Sequence, residues 1–252
     1  MALGSQPRWT VRPAVGAGVD VDVGLRDYML RIYNYMASGL ALTGVVAYVF
    51  AQSGLYVALA RTQLIWLVML APLGLVMWLS FGIERIQAAT AQLLFWLYAG
   101  LMGLSLASVF LVFTGESIAR VFFITAGTFA AMSLYGYTTQ RDLSQWGSFL
   151  MMGLIGIIIA GLVNIFLPFI AGLVNIFLVS SALQFAISVI GVIVFTGLTA
   201  WDTQQIKEQY YQLQYADGQT AGKQAIMGAL RLYLDFINLF MMLLHLLGAR
   251  RD

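Results

Sequence analysis

From Leu143 to Trp201 the chain carries no charged residue. A water-soluble fold could not hide so long a run, because each helix built from it would still need a polar face. Lipid is the solvent that accepts it. The rest of the chain has the same character. Polar breaks divide it into apolar stretches near 32–52, 63–83, 91–113, 118–138, 147–167, 182–205 and 226–247. Each is close to the ~20 residues a helix needs to cross the hydrocarbon. An open sheet would leave backbone groups unpaired there, and the short alternating segments of a barrel are absent. Only 10% of the residues are charged, against about 25% in soluble domains. The sequence therefore predicts an all-α membrane protein, a seven-transmembrane-helix bundle over residues 28–252. Residues 1–27 mix Arg8, Arg12, Asp20, Asp22, Arg26 and Asp27 with glycine and proline. They lack the apolar core of a secretory signal and are expected to form a mobile N-terminal arm.

Several function classes fall away at this stage. The net charge is +2, with no basic cluster interleaved with aromatics, so no nucleic-acid partner is expected. There is no cysteine, hence no disulfide, thiolate metal site or cysteine nucleophile. His245, Glu116 and Asp142 read as ordinary surface or span-end residues. No cofactor is expected.

Orientation follows the lysines and arginines of short loops. With the N-terminus in the cytoplasm, that side holds Arg8, Arg12, Arg26, Arg31, Arg85, Arg141, Lys207, Lys223 and Arg231. The other side holds Arg61, Arg120, Arg250 and Arg251. The balance favours a cytoplasmic N-terminus. The terminal arginine pair opposes it, unless the last span fails to cross fully. Trp66, Trp96, Trp146 and Trp201 lie near span ends, as interfacial belts require.

The octamer AGLVNIFL occurs twice, at Ala160–Leu167 and again at Ala171–Leu178. A period of 11 is about three helical turns, so both copies would present the same face. Pro168 between them should break or kink a helix. The preferred reading ends the fifth span near Pro168 and makes the second copy an interfacial connector. The rival is one overlong, tilted helix that includes it.

Three ionisable residues frame the function. Asp202 lies in TGLTAWDTQQIK towards the end of the sixth span, Asp235 in LYLDFINLFMMLL within the seventh, and Arg85 in FGIERIQAATAQ at the end of the second. In the favoured topology all three fall in the cytoplasmic third of the membrane. An ionised group in hydrocarbon costs ~2.5–3.5 kcal/mol or more, so such residues turn inward, pair, and mark a pathway or a switch. Two carboxylates in one low-dielectric site cannot both ionise cheaply, and one takes a proton. Plainer pairings compete. Arg231 precedes Asp235 by one helical turn, Lys207 could neutralise Asp202, and Arg85 could snorkel to the headgroups or pair with Glu84.

The segments GLTAWDTQQIK and LYLDFINLF, with AQLLFWLYAGLMGLSL, LYGYTTQRDLSQWGSFLMMGLIG and SSALQFAISVIGVIVFTGLTA, resemble the Bax-inhibitor family of transmembrane proteins. The similarity runs from about Arg31 to Gly248. It implies a seven-helix bundle with the last helix surrounded by the other six. It also implies a bacterial inner-membrane protein and a pH-sensitive calcium leak. The sensor would be an aspartate pair, matched here by Asp202 and Asp235, with Arg85 as the latch on one of them. The chain departs from the family in three places. Trp201 stands where a tyrosine is usual, the second AGLVNIFL copy is extra, and Glu84 adjoins the latch.

Three functions remain to be weighed. In a proton-gated calcium leak, Asp202 and Asp235 supply hard oxygen ligands for a transient calcium ion. An interaction protein could instead modulate a membrane protease or a stress pathway through another membrane protein, without transport. An intramembrane aspartyl protease is disfavoured. Asp235 sits between Leu234 and Phe236 rather than beside glycine, and no Pro-Ala-Leu turn occurs. The expectation is therefore a non-enzymatic leak.

Overall fold

A computed structural model describes residues 22–170, 181–213 and 217–251. The chain is helical almost throughout. The helices are α1 (Val23–Gln52), a short α2 (Leu55–Ala60), α3 (Leu64–Gly82), α4 (Ala88–Val112), α5 (Gly115–Thr138), α6 (Ser144–Ile170), α7 (Ser181–Gln212) and α8 (Gly218–Leu247). A 3₁₀ turn, Ile83–Arg85, joins α3 to α4. Among the described residues there is no strand, only an isolated bridge between Phe113 and Arg250. Six helices are long and apolar enough to cross a membrane: α1, α3 with its terminal turn, α4, α5, α7 and α8. Helix α6 is apolar over Ser144–Ala160.

The first helix begins at Val23, earlier than the expected domain start at residue 28. Asp22 explains the difference, because its carboxylate accepts the Leu25 backbone N–H at 3.0 Å as an N-cap. Helix α6 continues two residues past Pro168, to Ile170, so the proline does not end it. The N-terminal arm as far as Val21 and the second AGLVNIFL copy lie outside the described residues.

Helix α8 packs chiefly against α1, α4, α5 and α7, while α3 rests on α4 and α6 on α7. Half of α8's most apolar window is buried, against 11% for α3. The buried side chains of α8 include Leu232, Tyr233, Phe236 and Leu239, from several sides of the helix.

Both ends of α8 are tied to ends of α4. At one end Gln219 Oε1 accepts the Ala88 N–H at 3.1 Å. At the other, Thr114 N–H donates to the Ala249 carbonyl at 3.0 Å and Arg251 N–H to that of Val112 at 2.9 Å. Helix α8 therefore traverses the same thickness as α4. Trp66 and Trp146 point outward, as belt residues should. Trp96 and Trp201 instead pack against the core.

Candidate functional site

The site is built from one face of α7 and the middle of α8. From Thr199 to Lys207, α7 is unusually polar for a helix in this fold, and most of that polarity holds the bundle together. Ser133 of α5 meets the Thr203 hydroxyl at 2.9 Å and the Tyr33 hydroxyl of α1 at 2.6 Å. Thr203 donates back to the Thr199 carbonyl at 2.7 Å. Gln204 clamps the α5–α6 connection, accepting from Leu143 N–H and donating to the Arg141 carbonyl, both at 2.8 Å. Lys207 donates to the Tyr137 carbonyl at 2.9 Å. It is therefore committed to α5 and does not neutralise Asp202.

Asp202 remains, and it turns to α8. Its carboxyl and that of Asp235 lie within hydrogen-bonding reach of each other. Asp235 is buried at 5% exposure, and its Oδ2 finds no fixed donor. A hydrogen bond between two carboxyls exists only when one of them carries a proton. Two carboxyls in this position therefore satisfy each other only when one of them is protonated.

The cation whose charge reaches both carboxyls is Arg231, one turn before Asp235 on α8. Arg85 does not join them. It is exposed, in the turn between α3 and α4. That turn is pinned to the start of α8, where Lys223 Nζ donates to the Glu84 carbonyl at 3.3 Å. No ion pair links Arg85 to Asp202 or Asp235 among the described residues. Among the described residues the one ion pair is Arg120–Glu116, at 3.0 Å on the surface of α5. Glu84 therefore does not pair with Arg85 either.

Trp201 lies against Gly147 of α6, whose missing side chain leaves room for the indole. The indole N–H is buried without a partner. Among the described residues no three His, Cys, Asp or Glu side chains cluster as metal ligands. Two carboxylates fall short of the six to eight oxygens that calcium gathers in a resident site.

The family profile described as inhibitor of apoptosis-promoting Bax1 matches residues 25–252. The chain belongs to the Bax-inhibitor family. An uncharacterised protein of Rickettsia prowazekii is 51% identical over 92% of this chain and 93% of its own length. Inner membrane protein YbhL of Escherichia coli is 48% identical over 90% of this chain and 94% of its own. An uncharacterised membrane protein of Streptococcus pyogenes is 32% identical over 90% and 94%. The chain is thus an integral membrane protein of this family.

Both aspartates are conspicuous in the sequence, because ionisable groups stand out in apolar helices. Arg231 enters there only as a rival pairing, visible through the four-residue spacing. The Tyr33–Ser133–Thr203 chain left no local signal, since its members come from three helices far apart in sequence.

Proposed function

We propose that this Bax-inhibitor family member is a proton-gated calcium leak of the bacterial inner membrane. In this reading the bundle has seven spans, α6 included, arranged around α8, with the N-terminus in the cytoplasm. The observation that carries the proposal is the buried contact between Asp202 and Asp235, on two adjacent membrane-spanning helices. A pair of this kind changes charge when it gains or loses one proton, and burial makes that change felt by the packing of α7 against α8. Calcium is cargo here. Two carboxylates suit passage better than tight retention.

Arg231 supplies the counter-charge in the conformation described. Arg85 acts in the ionised state, when a second full negative charge draws the end of α3 towards Asp202. The proton-sharing pair with Arg85 remote from it is the arrangement this reading expects at acid pH. No catalytic step is assigned to any residue.

Calcium entry into liposomes carrying the purified protein, followed across a pH series, tests the reading. Flux that changes with pH and is absent from empty liposomes supports it. Protein-loaded liposomes that stay calcium-tight at every pH overturn it, leaving an interaction protein as the better account.

A further inference from the structure

The helices α1 and α5 face each other across a gap instead of packing closely. The gap forms a crevice of about 1050 Å³ from Arg26 to Val45 on α1 and from Tyr137 to Phe122 on α5. A second compartment of about 290 Å³ continues it to Ala47 and Gly115. Both compartments share Leu40, Gly44, Phe122 and Phe236, the last from α8. From Arg26 to Ala47 is about 32 Å along a helix, close to the ~30 Å of bilayer hydrocarbon.

The lining selects the occupant. Below its mouth the crevice is walled by alanine, leucine and phenylalanine. Its polar groups lie towards the mouth, on Arg26, Tyr33, Ser133 and Tyr137. Arg26 forms no ion pair with the described residues. Of the nearby acids, Asp22 is engaged as the α1 cap, and Asp27 lines a separate surface hollow with Arg31. Lys207 adds a second positive charge behind Tyr137, its ammonium 5.6 Å from the ring centre. Among the described residues Arg26 is the one charged residue on the crevice lining, so its mouth is positive and its interior apolar. A transmembrane helix, ~10 Å across, does not fit between α1 and α5 where the 2.6 Å Tyr33–Ser133 hydrogen bond joins them. A single hydrocarbon chain can lie along the outer side of that strut.

We propose that the crevice retains one anionic glycerophospholipid of the surrounding bilayer. Its phosphate sits at Arg26 and one acyl chain lies between α1 and α5. The chain would rest against Phe236, next to Asp235, so lipid occupancy and the position of α8 share a contact.

The test uses the full chain in vesicles doped with phosphatidylglycerol or phosphatidylcholine bearing a photoreactive acyl chain, with labelled residues mapped after irradiation. Label from phosphatidylglycerol should concentrate on Leu30–Ala37 and Ala130–Tyr137, several-fold above the outer face of α3. Phosphatidylcholine should label these segments less. Ala37→Trp and Ala130→Trp, both at exposed positions, should lower the label several-fold, and Arg26→Gln should erase the preference between the two lipids. Equal labelling of the crevice and the outer face of α3, or no headgroup preference in the unaltered protein, overturns the proposal. So does a second copy of the chain crosslinked across α1 and α5.

Discussion

Asp235 of α8 faces Asp202 of α7 with its Oδ2 buried and without a fixed donor. The contact satisfies both side chains only while a proton is shared between them. Replacing either carboxyl by an amide fixes the neutral form. Asp202→Asn and Asp235→Asn should each remove most of the pH dependence of calcium flux, because the proton they share is then no longer exchanged. The flux series in liposomes reads this directly. Two variants that both retain the parent profile would make the pair structural.

Arg231 and Arg85 should separate in the same assay. Arg231 acts on both carboxyls in the conformation described, and a nearby positive charge favours their ionised form. Arg231→Gln should move the midpoint of the flux profile to higher pH. Arg85 pairs with neither carboxyl in this conformation. Arg85→Gln should leave the acid end of the profile in place and raise flux at the alkaline end, where its proposed latch operates. An Arg231 variant indistinguishable from the parent would remove that residue from the gate.

The sequence made the spans legible because hydrocarbon imposes a minimum apolar length, and the helices fall close to the expected stretches. Asp202 and Asp235 were legible for the same reason, since a charge in such a stretch needs an explanation. The extents of the helices were less so. Asp22 starts α1 early by a side-chain cap, and α7 runs on to Gln212, beyond the apolar stretch that predicted it. Arg85 was placed with the pair because topology assigned it the same side and depth. Depth says nothing about lateral reach or about the Lys223 contact that pins its turn. The crevice had no sequence signature, because the gap belongs to two helices, α1 and α5, that three others separate in the chain.

The start of α8 offers a pH test outside the membrane. Asp217 accepts the Thr220 N–H at 2.9 Å, and the hydrogen bonds from Thr220 hold its carboxyl below the usual carboxylate range. A lowered value in the folded state means the cap stabilises the helix above the unfolded value, and is lost as pH falls through the lowered one. Amide exchange at Thr220 and Ala221 should accelerate in Asp217→Ala at neutral pH. In Asp217→Asn it should stay slow and lose its acid sensitivity, since asparagine caps as well. Unchanged exchange in the alanine variant would show that the contacts of Gln219 and Lys223 hold this end by themselves.

The α5–α7 crossing sits beside the site, and its tightness can be measured with two glycines of one helix. A side-chain carbon at Gly136 would run into the backbone carbonyl of Ala200, two residues before Asp202. Backbone cannot rotate away as a flexible side chain can, so α7 must shift. Gly136→Ala should destabilise the protein by about 1–3 kcal/mol, the usual cost of overpacking. It should also disturb pH-dependent flux, because Asp202 moves with the crossing. Gly127, on an exposed part of α5, would meet nothing within 4 Å. There alanine removes only the backbone freedom of glycine, and Gly127→Ala should be neutral or stabilising by up to ~1 kcal/mol. Thermal unfolding of both variants in detergent decides the matter. Equal stability would mean that α5 and α7 can separate at Gly136 at little cost, and that the position of Asp202 is not set by this crossing.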